Sequence, residues 1–100
     1  MNTIGKRVRF TDGGRKISGT VEDEVSHLEE EFNNRDFLDL VQYIRWDNGT
    51  HSIRICYYVR PCGSGEEDWI FANRPLVINT EELNRLLQKA RGKTWFPQFS

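Results

Sequence analysis

Residues that could do chemistry are few in this chain, and their spacing fits no catalytic motif. His27 and His51 are its two histidines, and Cys56 and Cys62 are its two cysteines. A structural zinc site needs four such ligands at close spacing, and a nucleophilic triad needs a base and an orienting acid beside its serine or cysteine. Neither spacing occurs, so the sequence predicts no metal, no cofactor and no catalytic residue.

Cations and aromatic rings, in contrast, are interleaved between positions 45 and 71. Such interleaving is typical of surfaces that bind single-stranded nucleic acid. Ordinary core and rim packing is the alternative, because a small domain has too little interior to bury every ring. The candidate ligand-binding or partner-binding residues of this stretch are Arg45, Trp46, Arg54, Tyr58, Arg60, Trp69 and Phe71.

The C-terminal tail adds two further candidate residues. Trp95 and Phe96 lie in an aromatic segment that continues to Phe99. Either this tail folds back onto the preceding helix, or it forms an exposed patch for a partner or a second copy of the chain. Folding back is favoured, because an exposed aromatic patch promotes aggregation.

The net charge of −1 conceals two blocks of opposite sign. Residues 1–20 hold five basic side chains against one acidic one, and residues 21–40 hold eight acidic side chains against one basic one. Separated blocks make a dipolar surface that steers a partner. Neighbouring blocks neutralise each other locally, and this is the favoured interpretation because pairing is the commoner use of opposite charges.

One hundred residues suit a single domain, which we expect to span the whole chain. No apolar run approaches the ~20 residues of a membrane helix, and no apolar segment follows the basic pair Lys6-Arg7 as in a signal peptide. Two cysteines are also few for a secreted disulfide scaffold. We therefore expect a cytoplasmic protein that makes no membrane contact.

Alternation of apolar and polar residues with period two predicts a mainly β fold. Gly19 lies inside the second strand, where glycine indicates a bulge or a close backbone approach. Residues 26–35 are acidic and contain the turn-like pair Asn33-Asn34, which predicts an exposed excursion between strands, either a long loop or one or two helical turns capped by Ser26. The predicted strands are residues 7–10, 16–25, 38–46, 51–60 and 68–72, with a further edge strand at 76–78.

The strongest turn signal in the chain is Asp47-Asn48-Gly49. Asn-Gly between two alternating runs favours a type I′ hairpin, in which both central residues adopt positive φ. The turn therefore predicts that the strands on either side of it, 38–46 and 51–60, pair antiparallel.

Residues 79–91 have the pattern of an amphipathic helix. Asn79 is a suitable N-cap, and Glu82 stands three residues later at the capping-box spacing. Gly92 is a natural terminator. The apolar stripe that we expect to dock this helix is Leu83, Leu86, Leu87 and Ala90.

Two segments resemble small SH3-like barrels of the Tudor, KOW and MIB-HERC2 type. They are Gly19-Thr20-Val21 and Ile44-Arg45-Trp46-Asp47-Asn48-Gly49-Thr50. In those barrels, a Gly-Thr-Val strand precedes a strand that ends in a Trp-Asp-Asn-Gly turn. The resemblance covers about residues 5–60 and implies a binding module rather than an enzyme. The aromatic cage of a Tudor domain has no residue-by-residue match, so binding of methyl-lysine is not implied.

The expected fold is mainly β with a helix, that is α+β. It is either a five-stranded SH3-like barrel or a strongly bent antiparallel sheet over about residues 5–78, closed by the C-terminal α-helix at about 79–91 and the aromatic tail 92–100.

The expected function is a non-enzymatic binding or adaptor module that acts through protein–protein contacts, with an unknown protein partner. A homodimer with Trp95 and Phe96 near its contact is one expected arrangement, because a C2 dimer is the commonest way to bury such residues. A nucleic-acid-binding small barrel is the alternative. The salt dependence of binding distinguishes these two functions, because counterion release weakens nucleic-acid binding steeply as the salt concentration rises.

Overall fold

The sheet of this protein is antiparallel throughout and curls into a half-barrel, with one helix on its outer side. The computed structural model describes residues 1–97, apart from the side chains of Asp12, Glu31 and Phe32. The strand order is β1-β2-β3-β4-β5, which confirms the mainly β fold and the strongly bent sheet. The elements are β1 (Arg7–Asp12), β2 (Arg15–Phe32), β3 (Arg35–Trp46), β4 (His51–Pro61), a 3-10 turn (Glu66–Asp68), β5 (Ile70–Phe71) and α1 (Thr80–Arg91).

The longest hairpin joins β2 to β3 through Asn33 and Asn34. These two residues have φ values of 52° and 60°, and Phe32 pairs with Arg35 across the turn. Two consecutive left-handed residues are what a two-residue hairpin of type I′ needs, and asparagine tolerates that conformation. The prediction of an exposed excursion at residues 26–35 is therefore wrong, because the asparagine pair is a tight turn and both strands continue to it.

The turn between β3 and β4 differs from its prediction in one respect. Gly49 adopts a φ of 90° as expected, but it is the only residue of the turn with positive φ, so the turn is not of type I′. The Asn48 side chain explains the difference. Its Oδ1 accepts hydrogen bonds from the Thr50 amide at 3.0 Å and the Thr50 hydroxyl at 2.7 Å, which hold Asn48 in a side-chain turn.

Close packing of β2 on β3 requires glycine at position 19. A Cβ atom on Gly19 would stand 2.6 Å from the carbonyl oxygen of Arg45 and 2.8 Å from the Trp46 ring. This confirms the close backbone approach that the sequence indicates. Three residues later, the pairing shifts between Val21 and Asp23, and this bulge increases the bend of the sheet.

Each face of the sheet buries its own apolar cluster, because side chains alternate along a strand. The concave face holds Leu38, Leu40, Cys56 and Tyr58, against which Met1 and Trp69 pack. The outer face holds Val25 and Val41 under the helix residues Leu86 and Ala90, with Ile53, Trp95 and Phe96 packed beside them.

Helix α1 forms as the sequence predicts. Asn79 caps it, and its Oδ1 accepts a hydrogen bond of 2.8 Å from the Glu82 amide. Leu86 is fully buried, whereas Leu83 and Leu87 are half-buried. No helix within residues 1–97 is long and apolar enough to cross a bilayer.

The segment around β5 differs most from its prediction. The last strand is Ile70–Phe71 rather than residues 68–72, and residues 76–78 are not a strand. Pro75 lacks the amide that a ladder needs, and the side chains that follow it line a cavity on the outer face instead.

Candidate functional site

The nine predicted binding residues lie in three separate places. Arg54, Tyr58, Arg60, Trp69 and Phe71 come together at the open side of the half-barrel. Arg45 and Trp46 lie at the far end of β3, beside the turn to β4. Trp95 and Phe96 lie on the outer face with the helix.

Strand alternation brings the first group together. Arg54, Tyr58 and Arg60 are two or four residues apart on β4, so their side chains share the concave face. Tyr58 pairs with Phe71 of β5, and their ring centroids are 5.4 Å apart in an edge-to-face arrangement. Such contacts are the favoured geometry of aromatic pairs.

A cation lies over each of three rings in this region. The Arg54 guanidinium stands 4.9 Å from the centroid of Phe71, and the Arg60 guanidinium stands 4.3 Å from that of Trp69. The ammonium of Lys6 lies 5.8 Å from the centroid of Tyr58. These distances lie within the range of cation–π attraction, which holds the three cations at the open side of the half-barrel, where a ligand can contact them.

Arg54 is held by a buried polar network around Gln42, which connects through Thr3 to the carboxylate of Glu24. Its Nε donates a hydrogen bond of 2.8 Å to Oε1 of Gln42, a fully buried residue. Gln42 in turn donates to the Thr3 hydroxyl at 2.8 Å, and the Cys56 thiol lies 3.3 Å from Gln42 Oε1. Burial raises the pKa of that thiol to about 11, so it stays protonated. The network therefore positions Arg54 without neutralising its charge.

Arg60 has a different role, because its charge is compensated. Its Nε donates to Asp36 Oδ2 at 2.9 Å, and the carboxylate of Asp36 is nearly inaccessible. Burial of such a pair makes both partners necessary to the fold. We regard Arg60 as a structural clamp on Trp69 rather than as a free ligand-binding cation.

Strand β1 supplies groove residues that sequence reasoning missed. Val8 and Phe10 face the concave side, and Phe10 is 55% exposed. Arg7, Val8 and Arg9 line one recess together with Arg54, Tyr58 and Phe71. The charged alternation of β1 was visible in the sequence, but its position opposite β4 and β5 depends on the curl of the sheet. We call the surface formed by Lys6, Arg7, Val8, Arg9, Phe10, Arg54, Tyr58 and Phe71 the basic groove.

Arg7, at the rim of the basic groove, makes a two-pronged pair with Asp47. Both of its bonds measure 2.7 Å, and both side chains are more than half exposed. The hydrogen bond to Arg7 lowers the pKa of Asp47 despite some loss of hydration, and the same bond raises the pKa of Arg7. Because the pair is exposed, a ligand carboxylate can displace Asp47 at small cost.

The other predicted residues make contacts within the fold. Arg45 pairs with Glu22 at 2.7 Å, and the Trp46 Nε1 donates to the Ser52 hydroxyl at 2.7 Å. Trp95 stacks on Tyr43 with centroids 5.0 Å apart, so the described part of the tail folds back. Phe99 lies outside the described residues.

Acidic residues of the segment 21–40 are paired with cations that come later in the chain. Glu22 pairs with Arg45, Asp36 with Arg60, and Asp23 with Lys93 at 3.1 Å. Local neutralisation is therefore present, but these partners are not the basic residues 1–20. The cations of β1 remain close together at the open side of the half-barrel.

A scan of protein-family models, a search of curated proteins and a search of solved structures each found no match to this chain.

Proposed function

We propose that this chain is a non-enzymatic binding module of the SH3-like, Tudor or KOW type, and that its basic groove binds an extended acidic segment of a partner protein. The observation that carries the proposal is a recess beside a free sheet edge that is lined by Arg9 and Arg54, with the ammonium of Lys6 over the ring of Tyr58, another lining residue.

The sheet edge explains why an extended segment fits. Strands β1 and β5 are the two ends of the strand order, so one side of β1 has no ladder partner within residues 1–97. A peptide that adds to such an edge forms main-chain hydrogen bonds with it, which give affinity. Its alternate side chains contact the protein surface on either side of the edge, and these contacts give specificity. Along β1, the acidic side chains of the peptide would meet Arg7 and Arg9 on one face, and the apolar ones would meet Val8 and Phe10 on the other face, which is also the face of Arg54.

Nucleic acid is the second candidate, because cations and rings do share the groove as strand binders require. The cation–π contacts make it the weaker candidate. Base stacking needs an open ring face, yet Lys6 covers one face of Tyr58 and Arg54 covers one face of Phe71. The groove therefore offers cations and ring edges, which suit carboxylates and aliphatic side chains better than bases.

Fluorescence anisotropy with matched probes tests this function. The first probe is a blocked peptide of alternating glutamate and valine about as long as β1. The second replaces every glutamate by glutamine, and the third is a single-stranded oligothymidine. We expect the acidic peptide to bind most tightly. Tighter binding of oligothymidine, with a steep loss as salt rises, would favour nucleic acid instead.

Two arginine variants identify the surface. Arg9→Gln removes a groove cation that faces the acidic side chains and should weaken binding of the acidic peptide by roughly 3–10-fold, which corresponds to the ~0.5–1.5 kcal/mol of a typical hydrogen bond. Arg45→Gln makes the same chemical change outside the groove and should leave the affinity unchanged. Equal losses in the two variants would show that the peptide responds to overall charge and not to the groove.

A further inference from the structure

A cavity of about 520 Å³ lies on the outer face of the sheet, away from the basic groove. Its walls come from β2, β3, β4 and the segment that leads into α1. Its volume is in the usual range of small-molecule sites. The residues that line it are Glu29, Phe37, Asp39, Tyr57, Pro75, Leu76, Val77, Ile78 and Asn79.

Asp39 is the unusual member of this lining. It is 1% exposed, and its Oδ2 atom has no hydrogen-bond donor within the described residues. Such a buried acceptor is rare in native proteins, and it indicates either a missing ligand or a proton held by the group itself. Glu29 supplies a second carboxyl group in the same cavity and bonds that of Asp39.

The carboxyl group of Asp39 keeps its proton near neutral pH. Burial raises the pKa of Asp39 to about 8, and the bond to Glu29 and the charges of Glu29 and Glu82 act in the same direction. Two neighbouring carboxylates lose their second proton only reluctantly. The other titratable groups around Asp39 are His27 of β2, which is bonded to Glu82 of α1, and Tyr57, its neighbour on β4.

The remaining walls decide which cation could replace that proton. Calcium and magnesium require six or more oxygen ligands, whereas most of this lining is aliphatic or aromatic. No group of three or more metal-ligating side chains occurs among the residues that the structure describes. Phe37 and Tyr57 lie with centroids 6.0 Å apart at the cavity wall, and ring faces attract organic cations.

We propose that this cavity binds a small organic ammonium with an apolar body. The ammonium donates N–H bonds to Asp39 and Glu29, and the apolar body packs against Phe37, Tyr57 and the segment 76–78. No covalent bond changes. The proton of Asp39 leaves to solvent, and the positive charge of the ligand takes its place.

Isothermal titration calorimetry with hexylammonium, compared with hexan-1-ol, tests the proposal. The two probes have similar apolar bodies, and only the first carries a charge. We expect hexylammonium to bind at least about tenfold more tightly, a difference of ~1.4 kcal/mol. Equal affinities would overturn the proposal, because they would show a site that responds to apolar burial alone.

Proton release gives a readout that needs no variant. Titrations at about pH 7 in two buffers of different ionisation enthalpy should show close to one proton released per hexylammonium bound. The affinity should rise by up to roughly tenfold per pH unit until the pH reaches about 8, the pKa of Asp39. Binding without proton release would contradict the proposed exchange.

Three variants localise the site. Asp39→Asn keeps the shape of the side chain and should weaken hexylammonium binding at least tenfold, whereas Glu30→Gln, on the same strand as Glu29, should not. If Asp39→Asn does not fold, then Glu29→Gln and the proton count decide. An unchanged affinity in either cavity variant would overturn the proposal.

A blocked lysine tripeptide should bind more weakly than the free amine, and tighter binding of the tripeptide would contradict a small-molecule ligand.

Discussion

The two faces of the β3–β4 ribbon treat charge in opposite ways. On the concave face, the buried carboxylate of Asp36 is paired with Arg60, and the fully buried Gln42 has an uncharged amide that is satisfied by Thr3 and Arg54. On the outer face, three positions earlier, the buried polar residue is Asp39, with an unpartnered oxygen. Every one of these concave-face groups has a partner, whereas the uncompensated acid Asp39 makes the outer face a place for a proton or a cation.

This contrast shows how a small sheet can carry two surfaces of opposite preference. Side chains change face at every residue, so adjacent positions in the sequence serve different surfaces. The net charge of −1 is therefore a poor guide to either one. If the account is correct, changes on one face will leave binding at the other intact.

Truncation of Leu86 should produce the largest effect. This side chain is fully buried against Val25 and Val41 on the outer face, so Leu86→Ala should lower the free energy of unfolding by about 2–5 kcal/mol. Hexylammonium binding should weaken, because the helix start borders its cavity. Denaturant unfolding measures the loss. A change below about 0.5 kcal/mol would show that the helix contributes little to the fold.

Neutralising Asp39 should have the next largest effect, with the opposite sign. Its folded-state pKa is raised above the value of an unfolded chain, so its stabilising contribution is complete below about pH 4 and is lost as the pH rises through about 8. Asp39→Asn should therefore flatten the pH dependence of stability in this window and raise the free energy of unfolding by about 1–3 kcal/mol at pH 8. Urea unfolding at several pH values tests this, and a variant with unchanged pH dependence would refute the raised pKa.

A strained turn should affect both faces alike. Gly49 has a φ of 90°, which a β-branched residue resists, so Gly49→Val should destabilise the protein by about 1–2 kcal/mol. The turn sets the pairing of β3 with β4, and neither surface contains it. Thermal unfolding should show the loss, and the affinities of folded protein for the two probes should stay equal to those of the wild type.

The smallest effect is expected for Asp47→Asn at the rim of the basic groove. The Arg7–Asp47 pair is exposed, so its loss should leave stability within the scatter of unfolding measurements. Arg7 becomes available to a ligand carboxylate, and the acidic peptide should bind up to about twofold more tightly at low salt. Weaker peptide binding in this variant would indicate that Asp47 positions Arg7 for the ligand.

The helix and the main strands could be predicted from sequence because their signals are local. For the helix, the N-cap Asn79, the apolar stripe and the terminating Gly92 all lie within residues 79–92. For β4, the alternation of side chains places Arg54, Tyr58 and Arg60 on one face. The turn at Asn33 and Asn34 escaped prediction because the surrounding acidic residues resemble a loop, although the asparagine pair itself was a usable signal.

The grouping of the candidate residues could not be predicted, because it depends on pairing between strands. Arg54 lies opposite Gln42, and Arg45 lies opposite His51. A shift of one residue in this pairing would exchange the two faces, and the pairing depends on the form of the turn at residues 47–50, which differs from the predicted type I′ turn. The position of β1 across the groove depends in addition on the bend at Val21 and Asp23.

The central claim is that an extended acidic segment binds at the basic groove and not at the outer face. The most direct measurement is a titration of isotopically labelled protein with the glutamate–valine peptide, followed by amide NMR shifts. We predict that the shifts concentrate in β1 and around Arg54, Tyr58 and Phe71. Shifts concentrated around Phe37, Asp39 and the start of α1, with β1 unchanged, would contradict the account.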